Sequence, residues 1–320
     1  MSRRPRIKLE KPIAYYHVMN RTAQQEFYFG DGHVPGFKQV MLDKFQEVAS
    51  VFYVNILAWV IMDNHYHLCL EVQKPPKDPE DLRIRFERLQ EINESKRRWQ
   101  PELAHACYKR FTDLSEFMKS INMRTAIAFN HARKTKGHLW GARYNSKVIE
   151  DESGLLKVMC YIEHNPVKAG ICRKSSAYPW CSAGRLKLEL AQRKKIDFPA
   201  IDFLRRIPRK CRARTYVQFV DELALRLYGP HSKREMGDES FELPLTDAEL
   251  DEWRNAFATR APEDWSNQAF GSEEFHHQIA LKEQTKGQKM TKVRQEGVKR
   301  RRFRSEERPT QNNSTKPQGK

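Results

Sequence analysis

Two histidines separated by one residue, His65 and His67, have a spacing that could support chemistry. They begin an apolar run that follows an earlier apolar run and a short Asp63-Asn64 break, a pattern that predicts a β-hairpin. Residues i and i+2 of a strand point to the same face, so both imidazoles would project side by side from one face of a sheet. Two neutral imidazoles on a rigid strand can bind a divalent metal ion. On spacing alone, two exposed histidines on a half-buried strand are the more common case, and both interpretations stay open.

The segments around this hairpin predict an α+β domain. An aromatic-rich strand is expected at 12–21, an amphipathic helix at 35–52, the hairpin strands at 53–62 and 66–72, a second helix at 114–131 and a strand at 140–149. A shorter helix is expected at 153–164, and Asn165-Pro166 ends it because a residue before proline is displaced from helical geometry. This order predicts a ferredoxin-like antiparallel sheet with helices on one face.

The chain is strongly basic. Its 58 Lys and Arg residues against 41 Asp and Glu residues give a formal net charge of +17 over 320 residues. This charge favours a polyanionic partner, most simply nucleic acid, although a soluble protein rich in Lys and Arg would have the same composition. No apolar run reaches the roughly 20 residues that a membrane-spanning helix needs. The six cysteines form no Cys-x-x-Cys pair, which is typical of reduced thiols in a cytosolic protein.

Five ordered segments resemble the single-tyrosine HUH transposases, and more closely the REP-associated tyrosine transposases. The segments are YHVMNRT at 16–22, MDNHYHL at 62–68, GHLWGARY at 137–144, YIEHNPVKAG at 161–170 and YPW at 178–180. The resemblance covers about residues 10 to 185 and does not reach the C-terminal third. It implies an enzyme that cleaves and rejoins single-stranded DNA through a 5′-phosphotyrosine link and a free 3′-hydroxyl, with Mg²⁺ or Mn²⁺ as the metal.

The resemblance assigns Tyr161 as the nucleophile, and His65, His67 and Asn165 as the metal ligands. An unperturbed tyrosine has a pKa of about 10, so it needs a nearby cation or base to attack at neutral pH. Tyr161 and Asn165 are four residues apart, and a helix would place both on one face.

The residues alone leave alternatives at both helix positions. Tyr161 could instead be a core aromatic near a helix end, and Asn165 could be a helix C-cap. Glu163 and His164 lie close enough in sequence to be candidate ligands in place of Asn165.

Further polar and aromatic residues are candidates for DNA contact, because Arg and Lys bind phosphates and aromatic rings stack on unpaired bases. They are His17, Asn20, Arg21, Arg124, Arg133, His138, Trp140, Arg143, Tyr144 and Lys147. A structural role is the alternative for each of them.

The resemblance and the charge distribution together predict three parts. Residues 1–190 would form an HUH transposase-like catalytic domain, 191–280 a helical extension with an acidic segment, and 281–320 a disordered basic tail. The implied partner is single-stranded or hairpin DNA, with no membrane, in the cytoplasm and associated with the nucleoid. The sequence leaves open whether the protein acts as a monomer or a homodimer. The alternative functions are a hairpin-binding protein derived from a transposase that no longer cuts, and a different hydrolase with a His-x-His metal site.

Overall fold

The computed structural model describes residues 7–228, 244–258, 269–270, 274–275 and 278–279. The predicted basic tail at 281–320 and part of the acidic segment lie outside these residues. The described helices are α1 Phe37–Ala49, α2 Pro79–Ile92, α3 Ala104–Phe111, α4 Leu114–Arg133, α5 Glu152–Glu163, α6 Asn165–Lys168, α7 Ser182–Ala191, α8 Arg209–Tyr228 and α9 Asp247–Ala258. The described strands are β1 Ile13–Arg21, β2 Val54–Ile61, β3 His65–Gln73, β4 Asn145–Ile149 and β5 Ala269–Phe270.

The strands form a single sheet in the order β2-β3-β1-β4-β5. Neighbours among the first four strands are antiparallel, and the two-residue β5 adds a parallel edge beside β4. The crossovers β1-α1-β2 and β3-α4-β4 each leave room for one strand between the pair they connect, which is the ferredoxin-like arrangement. The predicted fold class is therefore confirmed, and the predicted hairpin is the pair β2 and β3.

Side chains alternate between the two faces of this sheet, as the strand geometry requires. The even-numbered residues of β3, including Tyr66 and Leu68, pack against α1 and α4 in one apolar cluster. The odd-numbered residues, including His65, His67 and Cys69, point to the opposite face, where α5 contacts β2 and β3. Burying each large apolar side chain in these clusters contributes about 1.5–3 kcal/mol, so both faces stabilise the fold.

Helices cover both faces of the sheet, whereas the sequence predicted helices on one face. The second face is covered because α5 supplies apolar residues such as Leu155 and α8 supplies Tyr216 and Phe219, which share one buried cluster with β2. Helices after residue 190 thus pack directly on the predicted catalytic domain. The boundary at residue 190 stays a prediction.

The helix α5 has a defined start and a defined end. Its first turn is capped by Asp151, whose carboxylate accepts a hydrogen bond of 2.7 Å from the Gly154 amide. Its end follows from Pro166, which has no backbone N–H to donate to a carbonyl of the preceding turn. The side chain of Asn165 supplies hydrogen bonds in place of the missing backbone one, because its Nδ2 donates to the carbonyl oxygens of Tyr161 (2.9 Å) and Ile162 (3.2 Å).

All six cysteines of the chain lie in the described part and are free thiols. No helix among the described residues is both long enough and apolar enough to cross a membrane.

Candidate functional site

Three aromatic rings from three elements meet on the sheet face that α5 covers. The Tyr161 ring on α5 lies 5.7 Å from the ring of His17 on β1 and 5.9 Å from the ring of His67 on β3, centroid to centroid. The His65 and His67 rings are 5.1 Å apart and perpendicular. The structure thus brings Tyr161 to the histidine pair, although about a hundred residues separate them in sequence.

A hydrogen bond between side chains joins His65 to Asn165 at the end of α5. Both amide hydrogens of Asn165 point to α5 carbonyl oxygens, so its Oδ1 is the atom that faces the imidazole. Asn165 therefore acts as a helix cap through its nitrogen while its oxygen faces the histidine pair. The alternatives Glu163 and His164 point elsewhere: the His164 Nε2 lies 2.9 Å from the Val220 carbonyl oxygen, and Glu163 lies against α7.

The imidazoles of His65 and His67 each have a hydrogen-bonding partner at the Nδ1 atom. His67 Nδ1 lies 3.0 Å from His17 Nε2, and His65 Nδ1 lies 2.7 Å from the Asn64 Oδ1. Burial and, to a smaller extent, the positive charge of Arg21 lower the pKa of His65 to about 4. Burial, together with the neighbouring His17 and His65, also holds the pKa of His67 well below its usual value. Both rings are therefore neutral at pH 7, the state that binds metal ions.

These residues fit a divalent cation. A neutral imidazole has one N–H, yet His65 faces two amide oxygens, one on Asn64 and one on Asn165. It can donate its N–H to only one of these oxygens. If it donates to Asn64, the other ring nitrogen of His65 and the Asn165 oxygen would both be available to bind a cation. In the part of the chain that the structure describes, no group of three or more His, Cys, Asp or Glu side chains could hold a metal ion. The ligand set would therefore depend on the Asn165 oxygen.

A cavity of about 540 Å³ lies at the end of β1, beside His65. Arg21, which opens into it, is directly opposite His65 in the register of β1 with β3. The loop before β4 comes close at Gly141, where a Cβ atom would stand 2.9 Å from the Thr22 carbonyl oxygen. None of the described residues that line the cavity is acidic, and its polar side chains include those of Arg21, Gln24, Gln25, Arg143 and Asn145. This lining suits an anionic or hydrogen-bonding ligand.

Of the residues predicted to contact DNA, three are buried and a fourth, Trp140, is half-buried. His17 and Asn20 are only 4% and 3% exposed, and His17 supports His67 rather than facing solvent. Trp140 packs against Phe29 and Tyr66, and its indole N–H donates to the Asn122 carbonyl oxygen at 2.9 Å. Tyr144 is 6% exposed and its hydroxyl lies 3.3 Å from the Ser115 Oγ. The sequence predicted that these aromatic rings stack on DNA bases because a local sequence pattern does not distinguish an exposed ring from a core ring.

The remaining candidates divide between the two sides of the sheet. Arg124 and Arg133 lie on α4, which covers the face opposite to α5, so they are not brought to the histidine pair. Arg143 is exposed at the cavity, and Lys147 on β4 is paired with His17 in the sheet register. His138 is exposed in the loop whose Leu139 carbonyl accepts a hydrogen bond from the Ala23 amide.

Several residues at the site had no clear signal in the sequence. Asn64 belonged to a hairpin break, and its contact with His65 appears only once the turn is formed. The cavity residues Gln24 and Gln25 adopt positive φ angles of 55° and 61°. Glu163 is fully buried, and burial raises its pKa to about 7. The sequence marked Glu163 only as an alternative metal ligand, because it lies within the segment that contains Tyr161 and Asn165.

No family model matches the chain, and no curated protein matches it. Among solved structures the chain is similar to a REP-associated tyrosine transposase bound to a REP hairpin, with 18% sequence identity and a TM-score of 0.39. The match covers 63% of this chain and 98% of that chain. At this TM-score the similarity decides neither fold nor function, so both rest on the residues and contacts described above.

Proposed function

We propose that this protein is a transposase-like enzyme that cleaves and rejoins single-stranded or hairpin DNA, with Tyr161 as the nucleophile. The observation that carries the proposal is the meeting of the Tyr161 ring with His67, next to the hydrogen-bonded pair of His65 and Asn165. A phenol, two neutral imidazoles and an amide oxygen at one point suit attack on a phosphodiester.

In the proposed reaction the Tyr161 oxygen attacks the phosphorus of a phosphodiester. A new phosphorus–oxygen bond forms to tyrosine, and the bond to the 3′ oxygen of the neighbouring nucleotide breaks. The phenol proton is lost and the departing 3′ oxygen takes up a proton, leaving a 5′-phosphotyrosine and a free 3′-hydroxyl. The phosphodiester energy is kept in the tyrosine link, so a second 3′-hydroxyl can reverse the step on another strand without ATP.

His65, His67 and Asn165 would hold the metal ion, which we propose to be Mg²⁺ or Mn²⁺. When bound, the ion would polarise the phosphate oxygens and stabilise the charge that develops on them. His17 and Asn64 keep the two imidazoles oriented, and the low pKa values of both rings keep them unprotonated.

The DNA strand would enter over the basic edge beside the site. Arg21 and Arg143 line the cavity next to His65, and the buried Arg21 Nε has no hydrogen-bond partner among the described residues. These guanidinium groups would bind phosphates while the amides of Gln24 and Gln25 contact an unpaired nucleotide. A cytoplasmic, nucleoid-associated location would follow from this substrate.

Detection of a covalent protein–DNA adduct tests the proposal. The full chain is incubated with end-labelled hairpin DNA carrying single-stranded flanks and with Mn²⁺, then separated under denaturing conditions. Wild type should form an adduct and Tyr161→Phe should form none, because the variant lacks the attacking oxygen but keeps the ring.

The matched control is Tyr228→Phe, which removes a phenol oxygen from α8 near Tyr161. This variant should form the adduct as wild type does. An adduct that persists in Tyr161→Phe would disprove the assigned nucleophile. Wild-type protein that binds the hairpin tightly without forming an adduct would instead support the alternative of a DNA-binding protein that does not cut.

A further inference from the structure

Glu163 is a fully buried carboxylate at the last turn of α5. Its Oε1 accepts hydrogen bonds from the Ser182 hydroxyl and, at 3.3 Å, from the Tyr216 hydroxyl. Its Oε2 accepts a bond of 3.0 Å from the Ala183 amide. Both oxygens are therefore engaged, by groups from α7 and α8.

These contacts connect α5 to the sheet. Ser182 opens α7, and its Oγ accepts a hydrogen bond of 2.9 Å from the Trp59 amide on β2. Its hydroxyl proton is then available for Glu163, so the chain of bonds runs from the β2 backbone through Ser182 to α5. The N-terminus of α7 also carries partial positive charge, which favours a carboxylate at this point.

A carboxylate is an expensive way to join two helices in a core. Burying a charged group costs several kcal/mol, and apolar side chains of similar volume often stabilise a fold as well or better. A two-oxygen clamp does provide a fixed orientation, since it restrains the rotation of α5 about its own axis in a way that apolar packing does not.

The position of Glu163 makes that rotation matter. It lies on α5 two residues after Tyr161 and two before Asn165, whose side chain is hydrogen-bonded to carbonyl oxygens of α5, so a rotation of the end of α5 would move all three. Side-chain atoms at the surface of a helix are about 6 Å from its axis, so a rotation of roughly 10° would move them by about 1 Å. A displacement of that size near a reacting atom can lower a rate about 100-fold.

We propose that Glu163 is a positioning residue, which clamps the end of α5 to α7 and so fixes Tyr161 and Asn165 relative to His65 and His67. The catalytic consequence rests on the proposed function, whereas the clamp itself does not. Because Glu163 is fully buried and bonded to α7 and α8, it acts through the orientation of α5 and not by contact with the DNA.

The test measures cleavage, DNA binding and local stability in Glu163→Gln. The glutamine keeps the volume, but an NH₂ group replaces one of the two accepting oxygens. It therefore loses an acceptor either for the Ala183 amide or for the Ser182 and Tyr216 hydroxyls. We expect single-turnover adduct formation at saturating DNA to fall by about 10- to 100-fold while the DNA Kd changes less than about twofold. Hydrogen exchange in the segment 158–170 should become faster.

Two further variants separate positioning from general stability. Leu204→Ala truncates a fully buried side chain of the same apolar cluster and leaves the hydrogen-bonding groups around Glu163 in place, so it should lower the melting temperature while leaving the saturated rate close to wild type. Ser182→Ala should slow the reaction as Glu163→Gln does, and the double variant should be little slower than either single one, because both break the same connection.

The outcomes distinguish this inference from the proposed function. A Glu163→Gln protein that reacts as fast as wild type and shows unchanged exchange at 158–170 overturns the clamp, and the nucleophile assignment stands. Equal slowing by Leu204→Ala would also overturn it, since the effect would then be general destabilisation. If wild type forms no adduct, the proposed function fails, and the exchange measurement alone decides whether Glu163 restrains α5.

Discussion

The histidine pair depends on a third histidine that is not adjacent to it in sequence. His17 lies on the neighbouring strand and its Nε2 contacts the His67 Nδ1 at 3.0 Å, which leaves Nε2 as the His67 atom directed to the proposed ligand position. Such contacts behind a ligating histidine set its tautomer and ring orientation, and their loss typically weakens metal binding 10- to 100-fold. We therefore assign His17 to the support of His67 rather than to DNA.

This assignment predicts the effect of His17→Phe on metal affinity. The phenylalanine fills the buried volume but has no ring nitrogen for His67, so the Mn²⁺ Kd measured by titration calorimetry should rise about 10- to 100-fold. His33→Phe, at an exposed histidine in the loop before α1, serves as the control and should bind Mn²⁺ as wild type does. Equal Mn²⁺ affinity in all three proteins would contradict the role given to His17.

At the scale of elements, single polar side chains cap the end of α5 and the start of α4. Asn165 replaces the hydrogen bonds that Pro166 denies to the end of α5, and in doing so it presents its oxygen to His65. The helix α4 begins at Asp113, whose carboxylate accepts hydrogen bonds from the Ser115 amide (2.7 Å) and the Glu116 amide (3.1 Å) and pairs with Lys8. Local capping thus decides where each helix starts or stops.

The α4 cap predicts a pH-dependent stability. Burial alone would raise the pKa of Asp113, but the hydrogen bonds from Lys8 and from the two amides lower it overall. Asp113→Ala should lower the free energy of unfolding by about 1–2 kcal/mol at pH 7. A carboxylate whose folded pKa is depressed stabilises above its unfolded pKa of about 3.9, so this difference should shrink as the pH falls below about 4.

Denaturant unfolding of wild type and Asp113→Ala between pH 3 and pH 7 measures this effect. Asp113→Asn keeps an acceptor for the amides but loses the charge, so it should cost less at pH 7. Its own stability should lack the part of the wild-type pH dependence that Asp113 contributes. A difference between wild type and Asp113→Ala that stays constant over this range would show that the charge of Asp113 does not contribute.

At the scale of the whole molecule, the net charge of +17 indicates where DNA could bind only when the basic residues are located on one side of the sheet or the other. Arg21 and Arg143 lie at the cavity beside His65, whereas Arg124 and Arg133 lie on the helix that covers the other face. On the proposed path, only the first pair is close enough to neutralise phosphates of a strand that reaches Tyr161.

Salt dependence of DNA binding distinguishes the two pairs. Each phosphate contact to single-stranded DNA contributes about 0.7 to the slope of log K against log salt concentration. The double variant Arg21→Gln, Arg143→Gln should therefore bind more weakly and with a slope reduced by about 1.4, whereas Arg124→Gln, Arg133→Gln should keep the wild-type slope. The opposite result would place the DNA on the α4 side and contradict the proposed path.

The sequence by itself determined the approximate positions of the first four strands and of α1, α4 and α5, and which residues of β3 share a face of the sheet. Alternation in β3 placed His65 and His67 on one face and Tyr66 and Leu68 on the other, and periodicity predicted α1, α4, α5 and the ferredoxin-like order, because these patterns depend on neighbours within a few residues. It also singled out Tyr161 and Asn165 through the segments that resemble a known family.

Only the tertiary structure decided what those residues contact. The contact of His17 with His67, the packing of Trp140 and Tyr144, the second helical layer and the hydrogen bonds of Glu163 all involve partners that are distant in the chain. Burial and hydrogen bonding are properties of the packed molecule, and a local pattern carries no record of which distant side chain will occupy the neighbouring space.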